Sequence, residues 1–203
     1  MTVVKSEIQF RQARAKTHLL ESAETQRQAA EDCLPSILTA ADLLVEIFRN
    51  GGKVLLCGNG GSAADCQHMA AEFVSRLTRD FERPGLPAIA LTTDTSFMTA
   101  FANDSGFEGL FERQVRTLGK PGDLLIGIST SGNSANVRLA IGAARELGLK
   151  TIALMGAEGE MEKEVDCAIR VPSRQTQYIQ ETLLSIEHIL CDLTEQILFR
   201  EGE

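Results

Sequence analysis

The sequence has no CxxC pair and an odd number of cysteines: Cys33, Cys57, Cys66, Cys167 and Cys191. That speaks against a disulfide framework and a cysteine zinc site, and for buried free thiols in a reducing cytoplasm. No apolar run approaches the roughly 20 residues of a membrane helix. Lys5, Glu7, Arg11 and Arg14 interrupt the N-terminus, so it lacks the pattern of a secretory signal. Positive charge is scarce as well. A net charge of −8 and a pI of about 5.0 argue against a nucleic acid or an anionic membrane as partner. There is no internal repeat and no low-complexity tract. What remains, at 203 residues, is one domain able to bury a proper core, with room for a helical extension.

Residues from about 3 to 31 are polar, without Gly or Pro, and predict a helix with sparse apolar positions (Ile8, Leu19, Leu20, Ala30). A second helix follows Pro35, with Ile37, Leu38, Ala41, Leu44, Ile47 and Phe48 at helical spacing, and ends at Asn50-Gly51-Gly52. From Lys53 onward strands and helices alternate. Strands are expected at Val54–Cys57, Leu86–Leu91, Asp123–Ile128, Thr151–Met155 and Ala168–Val171. Helices are expected from Ser62 to about Arg79, Thr95 to Ala102, Phe107 to Leu118, Ser134 to Leu147 and Thr176 to Phe199. Short apolar strands separated by helices imply a parallel sheet covered on both faces, with ligands at the carboxyl ends of the strands. On the last helix, Ile179, Leu183, Ile186, Leu190, Leu193 and Ile197 form one stripe. Gln180, Leu184, His188 and Cys191 form a second face, and Glu181, Ser185, Asp192 and Gln196 a wet one.

Two loops carry the chemistry. Gly58-Asn59-Gly60-Gly61-Ser62 links a buried strand to a helix start, where backbone N–H groups and the helix dipole favour an anion, most often a phosphate. Taken alone, the glycines read equally as an ordinary turn, and the Gly58-x-Gly60-x-x-Ala63 match to a dinucleotide fingerprint is weak. No Lys-Ser or Lys-Thr follows, which rules out a nucleotide P-loop. A second loop, Ser129-Thr130-Ser131-Gly132-Asn133-Ser134, offers four hydroxyls at another helix start, good for phosphate oxygens; taken alone, it reads as a capped helix with Ser131 or Asn133 as N-cap. Two such loops in one sheet point to a phosphorylated ligand. His68 and Glu72 sit four apart and share a helix face. By spacing alone they read first as a solvated ion pair, and no HExxH motif is present. The only other histidines are His18 and His188. His188 reads equally as a packed histidine or a site residue, and Asn103-Asp104 as a break between helices.

Taken together, these residues resemble the phosphoheptose isomerases of the sugar isomerase (SIS) domain family. The resemblance is carried by Cys57 to Ser62, His68-x-x-x-Glu72, Asn103-Asp104, Ser129 to Ser134 and Gln180 with His188, and runs from about residue 35 to 199. It implies a three-layer α/β sandwich with a five-stranded, flavodoxin-like parallel sheet. N-terminal helices over 1–50 would serve assembly of a homotetramer with active sites between subunits, and residues 51–203 would form the SIS domain, one structural unit overall. The implied reaction converts sedoheptulose 7-phosphate to D-glycero-D-manno-heptose 7-phosphate, towards heptose for lipopolysaccharide or other surface glycans. By position, Asn59, Gly60, Gly61, Asn103 and Asp104 would contact the sugar, and Ser129, Thr130, Ser131 and Ser134 the phosphate. His68, Glu72, Gln180 and His188 would hold one zinc ion. Glu72 and Gln180 would touch substrate too, and Glu72 and His188 would carry catalysis.

The chemistry agrees with those roles. Ketose–aldose isomerisation moves a proton between C1 and C2 through a cis-enediolate. Glu72 suits the base, and His188 the group that moves a proton between O1 and O2. Zinc would polarise the carbonyl. The rival readings are a non-catalytic SIS protein that binds a replication initiator and a sugar-phosphate sensor. Neither needs the Glu72–His188 pair.

Overall fold

The computed structural model describes residues 2–79 and 81–200, with backbone alone for 2–6. Two helices open the chain, α1 (Thr2–Asp32) and α2 (Leu34–Arg49). Then follow β1 (Val54–Gly58), α3 (Gly61–Val74), β2 (Ala88–Ala90), α4 (Thr95–Ser105), α5 (Leu110–Leu118), β3 (Leu124–Ser129), α6 (Ala135–Glu146), β4 (Lys150–Met155), β5 (Cys167–Arg170) and α7 (Thr176–Phe199). The five strands form one parallel sheet in the order β2-β1-β3-β4-β5. This is the flavodoxin-like order, whose topological switch point lies between β1 and β3.

Alternation along the strands splits the core in two, because successive side chains of a strand point to opposite faces. Val54, Leu56, Leu124, Ile126, Ile128, Ile152 and Leu154 pack under α2, α3 and α7. Leu55, Cys57, Leu125, Ala153 and Met155 pack under α5 and α6. Both faces of β1 and β3 are wholly buried, which is why these strands read as unbroken apolar runs. α2 lies in the covering layer, with Ile37, Ala40, Ala41, Leu44 and Ile47 buried. α1 instead leaves Ile8, Phe10, Leu19 and Leu20 exposed. It is tied to α7 by polar contacts: His18 and Ser22 meet Glu181, and Tyr178 Oη donates to Glu21 at 2.7 Å. All five cysteines are free and buried, as their spacing implied.

Several boundaries differ from the sequence expectation, among them the start of α5, at Leu110 rather than Phe107. α3 stops at Val74 rather than near Arg79, because its last carbonyls are taken from outside the helix. Arg83 donates to Glu72 O and Phe73 O, and Leu86 N also donates to Phe73 O. β2 shortens to three residues at the sheet edge, paired with β1 alone. Asn103 and Asp104 are not a break; they lie in the last turn of α4, and the chain turns at Gly106, whose φ of +89° suits glycine. A 3-10 turn at Glu160–Glu164 went unforeseen. On α7, Ile179, Leu183, Ile186 and Leu190 are buried as expected, and Leu193 and Ile197 only partly. Cys191 joins the core and Leu184 stays exposed, so the predicted second face divides. Glu181 leaves the wet face to bind α1, and Thr182, Glu187, Thr194 and Glu195, which belong to none of the three expected faces, are buried.

Candidate active site

The two chemical loops follow β1 and β3, the strands that flank the switch point, so they emerge side by side. Gly58 pairs in register with Ile128, one residue before Ser129. A Cβ on Gly58 would come within 2.8 Å of Ser62 O and 3.0 Å of Ile128 O, so only glycine lets the backbones pass here. Gly60, at φ +58°, caps α3. Asn59 and Asn136 exchange two amide hydrogen bonds of 2.9 Å, which stitch the first loop to α6.

The serine loop gathers hydroxyls rather than capping its helix by side chain. The N-cap of α6 is Ser134, not Ser131 or Asn133. Its Oγ shares a 2.8 Å hydrogen bond with Ser129 Oγ, and Ser129 Oγ lies 3.3 Å from Ser131 Oγ. Asn133 turns away, accepting from Glu160 N at 3.0 Å. Three hydroxyls and the free N–H groups of the first turn of α6 therefore face one place, which is what a phosphate requires.

α3 and α7 pack against each other and bring the remaining residues together. His68 Nε2 and His188 Nε2 are 2.7 Å apart, and His68 Nε2 is 3.8 Å from Glu72 Oε1. This is a three-residue constellation rather than a solvated ion pair. The two ring nitrogens stand within hydrogen-bond distance of each other. Gln180 Nε2 donates to Asp65 Oδ2 at 2.9 Å. Asp65 was missed by sequence reasoning, although it stands one turn before His68 on the same helix. Burial raises its pKa, against the hydrogen bond from Gln180 and the charge of His68, which lower it. Its carboxylate takes the amide nitrogen and so leaves Gln180 Oε1 free for a ligand. The amide lies flat on Gly61, where a Cβ would come within 2.1 Å of Gln180 Nε2. Asn103 and Asp104 are not brought into this group; both are exposed and bonded to each other.

As metal donors, two imidazole nitrogens and a carboxylate suit zinc in kind, and the Gln180 amide oxygen would be an uncommon fourth donor. The facing nitrogens at 2.7 Å are nearer than the about 3.3 Å expected for two nitrogens on one tetrahedral zinc ion. Among the described residues no three His, Cys, Asp or Glu side chains are already spaced around a metal. The rings would part by roughly half an ångström to admit one.

Glu187, also missed, lies beneath this group. It is 0% exposed and neither carboxylate oxygen has a hydrogen-bond partner among the described residues. Burial first, and the charge of Asp65 second, push its pKa to about 9, so the carboxyl is protonated at neutral pH. The folded value lies above the ordinary 4.5, so the native state holds a proton the unfolded chain has lost. Stability therefore falls as pH rises from about 4.5 towards 9. Glu187→Gln removes that titration, and its gain in melting temperature over wild type is expected to be larger at pH 8.5 than at pH 5. Parallel melting curves across that range would contradict it.

The SIS domain family model matches residues 18–156. A phosphoheptose isomerase of Roseiflexus sp. (strain RS-1) is 54% identical over 181 residues, spanning 89% of this chain and 91% of that one. One from Aneurinibacillus thermoaerophilus is 48% identical over 188 residues, spanning 91% and 94%. The structure of a phosphoheptose isomerase from Neisseria gonorrhoeae superposes with a TM-score of 0.86 at 43% identity, covering 91% of this chain and 98% of that one. With the sheet order and both loops in place, the chain belongs to the SIS domain family and, within it, to the phosphoheptose isomerases.

Proposed function

We propose that this chain, a ketose–aldose phosphosugar isomerase, interconverts sedoheptulose 7-phosphate and D-glycero-D-manno-heptose 7-phosphate through an enediolate. The meeting of Glu72, His68 and His188 beside the glycine loop carries this reading. The phosphate sits on Ser129, Thr130, Ser131 and Ser134 at the start of α6, and the sugar lies over Asn59, Gly60 and Gly61. Glu72 removes a proton from C1 of the ketose, leaving the enediolate, and its carboxyl, after exchange with solvent, delivers a proton to C2. His188 moves the matching proton between O2 and O1, with His68 holding the other side of its ring. Gln180, oriented by Asp65, bonds a sugar hydroxyl through its free oxygen. A zinc ion held by His68, Glu72, Gln180 and His188 would polarise the substrate carbonyl when bound. The product heptose phosphate feeds lipopolysaccharide or another surface glycan, and the five buried free thiols support a cytoplasmic setting.

The test is direct. The purified chain, incubated with sedoheptulose 7-phosphate, is expected to yield the aldose by NMR. A folded chain that gives none would move the non-catalytic SIS reading ahead.

Assembly is the second part of the proposal. Phe10, Leu19 and Leu20 on α1, with Leu184 and Ile189 on α7, are large apolar side chains left exposed by a single chain. A homotetramer covers them and places active sites between subunits, where Asn103 and Asp104 reach the sugar. Light scattering is expected to give a mass about four times the 22.0 kDa chain. A stable monomer at micromolar concentration would overturn this.

A further inference from the structure

Beside the serine loop lies a cavity of about 270 Å³ that meets the loop at Thr130, Ser131 and Asn133, with Glu158, Arg174 and Thr176 also lining it; Ser129 and Ser134 lie outside the lining. Its wall is built by the loops that follow β3, β4 and β5. Gly156 N donates to Thr130 O, and Ala157 N to Ser173 O, each at 3.2 Å. Gly156 passes so close that a Cβ there would come within 2.6 Å of Thr130 O. The three loops are therefore held at a fixed spacing around the space.

The charges of this cavity are simple. Among the described lining residues Arg174 is the only cation and Glu158 the only anion, and they pair with each other across the mouth. Both side chains are largely exposed, at 79% and 66%. An exposed ion pair of this kind is worth little and exchanges partners readily. A phosphate monoester entering beside Ser131 carries a charge of about −1.5 to −2 at neutral pH. The serine loop meets it with neutral hydroxyls and a helix start, within a chain of net charge −8. A guanidinium fork matches phosphate oxygens two at a time, and does so better than it matches one exposed carboxylate.

We propose that Arg174 is the counter-cation of the substrate phosphate, held by Glu158 while the cavity is empty and transferred to the phosphate when it enters. Arg174 is thus a substrate-binding residue, and Glu158 a competitor that the phosphate displaces. This rests on the isomerase reading of the same site, and it adds a cation that the two sequence loops lack.

The experiment measures KM for sedoheptulose 7-phosphate, and binding of inorganic phosphate by calorimetry, in four chains. Arg174→Ala is expected to weaken both by about tenfold, raising KM more than it lowers kcat. Arg174→Lys recovers part of the loss, because the charge returns without the fork. Glu158→Gln frees the guanidinium and is expected to tighten phosphate binding by a few fold. Arg170→Ala removes the same charge from a neighbouring exposed pair with Glu162 and is expected to leave both values alone. Unchanged phosphate binding in Arg174→Ala would overturn the proposal, as would an equal loss in Arg170→Ala, which would mark a long-range charge effect. A wild type that binds phosphate through Arg174 yet turns over no heptose phosphate would instead fault the isomerase reading alone.

Discussion

Glu72→Gln is expected to lower kcat by about 10²- to 10⁴-fold while the chain stays folded and assembled. The substitution keeps the size and one acceptor oxygen of the side chain but cannot take the C1 proton. Glu72 is half-buried on α3, and its carboxylate stands 3.8 Å from His68 Nε2. It is therefore placed to act on the substrate rather than to hold the helix together. Because Glu72 is also a proposed zinc ligand, the assay is run with and without added zinc. Restored turnover in excess zinc would mean that metal affinity, not base strength, was lost. Turnover near the wild-type rate without zinc would remove Glu72 from the mechanism.

The second large effect is on stability. Arg83 and Glu195 form a buried ion pair, their side chains 1% and 4% exposed. Arg83 donates to Glu195 Oε1 through Nε at 2.8 Å and also to the carbonyls of Glu72, Phe73 and Pro84. Glu195 Oε1 also accepts Leu77 N at 3.1 Å. This clamp joins the end of α3 to α7, the two helices that supply His68, Glu72, Gln180 and His188. Removing either partner strands a charge in the core. Arg83→Ala or Glu195→Ala is expected to cost about 3–5 kcal/mol. That corresponds to a fall in melting temperature of roughly 6–20 °C for a chain of this length. The double variant should lose less than the sum of the two, since no lone charge remains. A single variant melting within a degree or two of wild type would show that the pair does not hold the helices.

The sheet was legible because β1, β3 and β4 are short apolar runs bounded by Gly and polar turns, and both loops sit at strand ends where any parallel sheet binds ligands. The family pattern named the candidate site residues, and the fold brings three of them, Glu72, His68 and His188, together. What escaped the sequence depends on partners far along the chain. The end of α3 is set by Arg83, nine residues past it, and by Glu195 on the last helix. Asp65 and Glu187 looked like ordinary helix polars, because α3–α7 packing, which spacing does not reveal, is what buries them. Asn103 and Asp104 read as a break because Asn and Asp favour helix ends; here they lie in the last turn before Gly106.

The most direct measurement is isomerisation of sedoheptulose 7-phosphate in D₂O, with the position of deuterium read by NMR. Proton transfer through an enediolate, with Glu72 as the shuttle, predicts deuterium at C2 of the aldose and at C1 of recovered ketose, both lost in Glu72→Gln. Aldose formed by Glu72→Gln at the wild-type rate and with the wild-type deuterium pattern would contradict it, because another group would then be taking the C1 proton.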